Sequence, residues 1–221
     1  MDTSTLHLIA LITSWIAYGI LHSLTASLRI KRALQQRYPD KFYAYRLLFN
    51  ITALLLLIVP LWLLQSYEGD LLWQWPSIVK PIADTLGLLA LLGFVLSITL
   101  YHGSDFIGLT QFRNRHQSLT ETAPMSLSWL HRYVRHPWYF FGLVMIWSRE
   151  MNAALLATAI TLTLYLIIGS RLEENKLIDS YGEQYRRYIN AVPGLIPLPW
   201  RFLSKAEADD LLSINNQGTP D

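Results

Sequence analysis

Four stretches of this chain are apolar over the length of a lipid bilayer, and this limits its fold more than any other feature. They run from Leu6 to Leu24, Leu47 to Leu64, Ile82 to Tyr101 and Ala153 to Ser170. A helical crossing of the hydrocarbon layer takes about 20 residues. Only helices and closed barrels satisfy every backbone polar group there, and unbroken apolar runs without two-residue alternation point to helices. Composition agrees, with 52% hydrophobic and only 15% charged residues, a membrane balance. The expected fold class is all-α, a polytopic integral membrane helical bundle.

A fifth apolar piece, Trp138–Trp147, is too short to cross alone. It gains length if an amphipathic Leu127–His136 continues it through a kink at Pro137. That gives about five transmembrane helices, the last two forming a C-terminal hairpin; four spans plus a re-entrant piece is the alternative. The first run is longer than a signal peptide's apolar region and has no basic leader, so it is read as a retained span. Residues 1–203 are expected to form one domain, with the cofactor-binding part at 127–200. The polar tail 204–221 is expected to be disordered.

Charge orients the bundle. Of 18 Lys and Arg residues, all but Lys80 and Arg149 fall in three segments: Arg29–Arg46, Gly103–His136 and the stretch from Arg171 onward. The positive-inside rule makes that crowded face cytoplasmic. Five crossings with the N-terminus outside and the C-terminus in the cytoplasm satisfy it, as for a bacterial inner-membrane protein.

Several chemistries are excluded. There is no cysteine, hence no disulfide, thiolate metal site or cysteine nucleophile. The 11 glycines never form a Gly-x-Gly or Walker-type loop, so a soluble dinucleotide-binding domain is not expected. No His-Glu-x-x-His or similar spacing occurs, and no metal is expected. A formal charge of +2, interrupted by apolar runs, does not suit nucleic acid.

Charges at membrane depth are functional candidates by default. Arg135-His136-Pro137-Trp138-Tyr139 opens the hairpin and Arg171-Leu172-Glu173-Glu174 closes it. Pro137 can start a helix, and Arg135 with the first-turn amides can receive a carboxylate. Glu173 or Glu174 can face an ammonium or sulfonium. Tyr139, Tyr181 and Tyr185 offer ring faces for adenine or a cation. These complement the groups of S-adenosylmethionine. Glu174, Leu177, Ile178, Tyr181, Tyr185 and Tyr188 recur at three- and four-residue steps, as one face of an amphipathic helix lying over the cytoplasmic mouth and ended by Pro193. Each feature also has a plainer reading: Arg135 and His136 as headgroup anchors, the glutamates as solvated charges, the tyrosines as packing.

Tyr133-Val134-Arg135-His136-Pro137-Trp138-Tyr139, Glu173-Glu174-Asn175-Lys176-Leu177-Ile178 and Tyr181-Gly182-Glu183-Gln184-Tyr185-Arg186-Arg187-Tyr188 together resemble the isoprenylcysteine carboxyl methyltransferase superfamily. The likeness covers about the last ninety residues before the tail. Asp105-Phe106-Ile107-Gly108-Leu109-Thr110-Gln111 is similar to a loop of its bacterial methanethiol-methylating branch, and Leu21-His22-Ser23 and Tyr45-Arg46-Leu47-Leu48 are similar to bacterial members. Trp138 stands where that family commonly has smaller residues. The resemblance implies a helical membrane bundle with S-adenosylmethionine in a cytoplasm-facing pocket. It implies cofactor contacts at Arg135, His136, Tyr139, Glu173, Glu174, Tyr185 and Tyr188.

Three functional classes follow. The leading one is an S-adenosylmethionine-dependent methyltransferase acting on a small thiol or lipophilic acceptor, with Arg135, Glu174, His22 and His102 as catalytic candidates. A thiol must lose its proton, and His22, His102 or His116 could take it. A carboxylate acceptor would need only an orienting cation, Arg113 or Arg115. The second class is a membrane oxidoreductase, sterol-reductase-like or holding haem between His22 and His102. The third is a non-catalytic maturation factor that keeps the fold.

Overall fold

The computed structural model describes residues 2–99, 107–115 and 125–213. Helix α1 (Thr3–Ala26) begins where Asp2 accepts the Thr5 amide at 2.7 Å, a side-chain cap for an otherwise orphaned donor. Ser27 ends it and caps the basic helix α2 (Leu28–Arg37). A 3-10 turn, Pro39–Ala44, leads into α3 (Tyr45–Gln65). Then come α4 (Lys80–Thr99), the short α5 (Leu109–Asn114), α6 (Pro137–Trp147) and α7 (Ala153–Tyr181), whose cap is Asn152. Two further helices follow, α8 (Glu183–Ala191) and α9 (Lys205–Ser213).

Four helical segments are long and apolar enough to cross a membrane: Thr3–Ala26, Pro39–Gln65, Lys80–Ser97 and Ala153–Tyr181. The shorter apolar α6 accompanies them, making the polytopic bundle expected from hydropathy. α1 lies between α3 and α7, α7 packs on α6, and α6 on α4. In that last contact Gly93 makes room for Phe141: a Cβ there would come 2.5 Å from Phe141 Cε1, and the ring would have to move. Large apolar side chains point outward, Leu54 and Trp62 on α3 being 67% and 65% exposed. In water so extensive an apolar surface would drive aggregation; in a bilayer it meets its solvent.

The two ends of the bundle differ. At one, β1 (Leu71–Trp73) pairs antiparallel with β2 (Met151–Asn152), tying the α3–α4 connection to the turn of the α6–α7 hairpin. Lys80 pairs with Glu150 at 2.9 Å beside this ribbon. The opposite end carries the basic α2, α5 and α8.

Three expectations need correction. Leu127–His136 does not extend α6 as a helix. It is a 3-10 turn at Trp129–Arg132 with non-helical flanks, because its backbone bonds to the C-terminal segment instead. The aromatic helix expected from Glu174 through Tyr188 is two helices. α7 runs unbroken to Tyr181, then Gly182 at φ +57° redirects the chain into α8, a conformation that favours glycine. The tail does not begin disordered: Lys205–Ser213 is helical, with Ala208 and Leu211 buried. Ser204 and Glu207 form a reciprocal capping box, with Ser204 N–H to Glu207 Oε2 at 2.7 Å and Glu207 N–H to Ser204 Oγ at 3.2 Å. The serine's hydrogen bonds also hold the Glu207 carboxyl below its ordinary pKa.

Candidate functional site

Residues 134–136 lie between the 3-10 turn and α6 and belong to no helix, so the amides of Arg135 and His136 need partners elsewhere, and the C-terminal segment provides them. Arg135 N–H donates to Pro193 O at 2.9 Å and His136 N–H to Gly194 O at 3.0 Å. Leu203 N–H and Arg132 Nε bond reciprocally with the Arg132 and Leu203 carbonyls, both at 2.9 Å. Pro137, lacking an N–H, can then open α6 directly after these bonds. This stitching brings the hairpin entrance to its exit.

There Arg135 and Glu174 form a nearly buried pair, their side chains 10% and 14% exposed. Glu174 Oε1 accepts from Arg135 Nε at 2.8 Å, lies 2.8 Å from Nη2, and is 3.0 Å from His136 Nε2. Arg135 Nη1 donates to the carbonyls of Ile189, at 3.1 Å, and Val192. All three guanidinium nitrogens are therefore engaged, and Arg135 holds α8's C-terminal end against α7. Glu173 differs. Its side chain is 51% exposed, accepts from Tyr139 OH at 3.3 Å and lies 3.5 Å from His136 Nδ1. The His136 and Tyr139 rings stack with centroids 5.1 Å apart.

Glu173 opens onto a cavity of about 770 Å³ at the basic end of the bundle. One wall comes from α6, α7 and α8 with Tyr139, Glu173, Tyr181, Tyr185 and Tyr188; the other comes from α1, α2 and α3 with His22, Lys31, Arg46 and Asn50. His22 packs between Tyr18 and Phe49, at ring separations of 5.7 and 4.9 Å. Its Nδ1 is buried without a hydrogen-bond partner among the described residues. His131, which shares a 2.8 Å hydrogen bond with Ser128 Oγ, also lines the cavity. Burial, reinforced by the neighbouring His136, lowers its pKa to about 4, so it is neutral at physiological pH.

The structure thus brings Arg135, His136, Tyr139, Glu173 and Glu174 into one cluster. Tyr185 and Tyr188 line the cavity but are 4% and 2% exposed. They pack with Val192, Leu203, Ala208 and Leu211, and Tyr188 OH donates to His131 O at 2.7 Å. His22 stands on the opposite wall. His102 and His116 lie outside the described residues. Arg113 and Arg115 are exposed on and after α5, and neither lines the cavity. The Arg135 side chain, expected to receive a carboxylate of the ligand together with the first-turn amides of α6, is taken up by Glu174 and by the Ile189 and Val192 carbonyls. Lys31, Arg46 and His131 escaped the sequence reading as site residues. The first two counted there toward orientation, and Arg46 also toward the resemblance, while both line the cavity with His22.

Residues 28–192 match the family described as "Protein of unknown function (DUF1295)". The chain is 34% identical over 145 residues to methanethiol S-methyltransferase 1 of Bradyrhizobium diazoefficiens, covering 59% of this chain and 50% of that protein. It is 29% identical over 187 residues to the methanethiol S-methyltransferase of Pseudomonas deceptionensis, covering 81% and 69%. With the enzyme of the same name from Mycobacterium tuberculosis it shares 31% over 145 residues, 59% of each chain. The chain thus spans about half of the first relative's length. No solved structure matches it. From the family match and these relatives, the chain belongs to the DUF1295 family, in its isoprenylcysteine carboxyl methyltransferase-like, methanethiol S-methyltransferase-like group.

Proposed function

We propose that this protein is an S-adenosylmethionine-dependent methyltransferase acting on a small thiol or lipophilic acceptor at the cytoplasmic side of the membrane. The observation that carries the reading is a cavity of about 770 Å³ into which Glu173 is open while Glu174 is held in place by Arg135 and His136. That volume lies within the roughly 300–1,000 Å³ of small-molecule sites. The names of the relatives support methyl transfer to a thiol, and the one-sided distribution of basic residues supports a cytoplasmic opening.

The residues present fit the donor. A molecule carrying ammonium and sulfonium charges needs a carboxylate and aromatic faces, and Glu173 with Tyr139 and Tyr181 supply both. The unpartnered Nδ1 of His22 fits a site completed by a bound molecule, since buried polar atoms are otherwise satisfied. S-adenosylmethionine would bring the electrophilic methyl carbon. Glu173 and Tyr139 would hold its cationic portion, and Tyr181 and Tyr185 would offer ring faces to the adenine. His22 takes the proton of a thiol acceptor. The apolar and aromatic part of the lining fixes the approach, where positioning gives much of the acceleration.

Calorimetric titration of the detergent-solubilised protein with S-adenosylmethionine tests this. Glu173→Gln should weaken binding by about tenfold, the order of one lost charge-assisted contact, without lowering the thermal midpoint. Label from the donor's methyl group should then appear in a volatile thioether when methanethiol is supplied. A folded protein that takes up no donor would refute the reading in favour of a maturation factor, and a Soret band in the purified protein would favour a haem oxidoreductase.

A further inference from the structure

The cavity's two walls are chemically unlike. The α6–α7 wall is acidic: Glu173 faces the space, and Arg135, which lines the same wall, has every nitrogen engaged. The α1–α3 wall has no carboxylate among its lining residues and carries Lys31 and Arg46. Arg46 is half-buried in the first turn of α3 and forms no ion pair among the described residues. A cation drawn out of water without a counter-ion is costly, as is the buried and unpartnered Nδ1 of His22 on the adjoining helix. Two such costs on one wall of one cavity are relieved together by a ligand that brings a proton and leaves an anion.

We propose that His22 and Arg46 form the acceptor subsite, His22 taking the acceptor's proton and Arg46 holding the resulting anion against the donor. This rests on the methyltransferase reading and narrows its substrate class to acidic S–H or O–H acceptors, excluding neutral amines. The acceptor's S–H bond breaks with its electron pair remaining on sulfur, and the proton passes to His22 Nδ1. The thiolate then attacks the methyl carbon. The carbon–sulfonium bond breaks with its pair staying on the donor's sulfur, leaving two neutral thioethers, and His22 returns its proton to water. Positive charge near the thiolate comes from Arg46 on α3 and Lys31 on α2. Among the described residues, Tyr18 on α1 stacks on His22, Tyr45 on α3 and Glu173 on α7 line the same cavity, and Tyr165 on α7 meets the adjacent Ser23 at 3.3 Å. Asn50 Nδ2, bonded at 2.9 Å to Ile107 O, ties this turn of α3 to the segment leading into α5.

The test uses 4-nitrothiophenol, whose thiolate is coloured, titrated by absorbance on the full-length solubilised protein. Wild-type protein should lower the apparent pKa of the bound thiol by about one unit, a tenfold gain in thiolate at fixed pH. Arg46→Lys should retain the shift and Arg46→Met should abolish it. Arg29→Gln, on the exposed side of α2, serves as the charge control and should match wild type. With methanethiol as acceptor, Arg46→Met should raise KM at least tenfold and move the acidic limb of the pH–rate profile upward. An Arg46→Met protein with an unchanged thiol pKa would make Arg46 a headgroup anchor and overturn the proposal. So would a loss of S-adenosylmethionine affinity in that variant, which would assign Arg46 to the donor's carboxylate. If wild-type protein binds no donor at all, the methyltransferase reading falls and takes this subsite with it, an outcome calorimetry separates from the others.

Discussion

Replacing Glu174 by methionine removes one oxygen that serves three nitrogens: Arg135 Nε and Nη2 at 2.8 Å and His136 Nε2 at 3.0 Å. The guanidinium then keeps only the Ile189 and Val192 carbonyls while remaining 90% covered. Breaking a buried pair from one side costs about 3–5 kcal/mol. Side-chain exposures of 10% and 14% allow some hydration, so about 2–4 kcal/mol is expected here. Arg135→Met should cost at least as much, because it also strips two carbonyls of their donor. The double variant removes both charges and leaves neither stranded, so it should cost less than the sum, with a coupling of about 2 kcal/mol. Glu174→Gln keeps an acceptor in place and should lose about 1–2 kcal/mol. Unfolding by SDS titration of the protein in mixed micelles, followed by circular dichroism, measures all four. Additive losses, with coupling below about 0.5 kcal/mol, would refute the assignment of this pair as the clamp joining hairpin and C-terminal segment.

Other outcomes follow from the same geometry. Leu211→Ala, in the cluster behind Tyr185 and Tyr188, should destabilise by about 2–4 kcal/mol and weaken donor binding through the tyrosine wall; unfolding and calorimetry on one preparation check both. His131 has a folded pKa of about 4, below its unfolded value of about 6.5. The unfolded chain therefore binds the extra proton first, and up to about 3 kcal/mol of stability should be lost as pH falls from 7 to 4. His131→Gln should flatten that dependence in unfolding curves recorded across the range. Phosphatase fusions after Trp75 should be active outside the cell and those after Ser213 inactive, if the basic end is cytoplasmic.

Much of the fold was legible because a bilayer imposes a length and a polarity that sequence displays directly. The four long spans and the short Pro137–Trp147 helix follow from apolar runs. The pairing of Arg135 with Glu174 was foreshadowed by opposite charges at the two mouths of one hairpin. What escaped depended on backbone. Nothing in the side-chain pattern says that the Pro193 and Gly194 carbonyls would take the amides of Arg135 and His136. The stripe from Glu174 to Tyr188 kept its helical period across Gly182, hiding the break, although a Tyr-Gly-Glu sequence is a terminator followed by a first-turn acid. The start of the tail was misread from its polarity while its Ser-Lys-Ala-Glu capping box stood in plain view, and residues 214–221 lie outside the described residues. Arg46 was overlooked because a basic residue at a helix end has an ordinary explanation at the headgroups, and only the cavity shows its second neighbourhood.

The two adjacent glutamates show why a charged site in a membrane protein needs more than its reacting groups. A carboxylate facing a cationic ligand is useful only if its backbone is fixed, and fixing it near lipid cannot rely on apolar packing alone where the chain leaves the bilayer. Glu174 therefore spends its charge on Arg135, which in turn grips the carbonyls of Ile189 and Val192 and seats α8 against α7. Glu173, one residue earlier and turned toward the cavity, inherits that rigidity through the shared helix while keeping half its side chain exposed. In the proposed site the two roles are not interchangeable, because the paired Glu174 is only 14% exposed while Glu173 is 51% exposed. Variants at the two positions should accordingly separate: those at Glu174 fail first in unfolding, those at Glu173 first in binding. A protein in which Glu173→Gln unfolds as readily as Glu174→Gln would show that the division of labour does not exist.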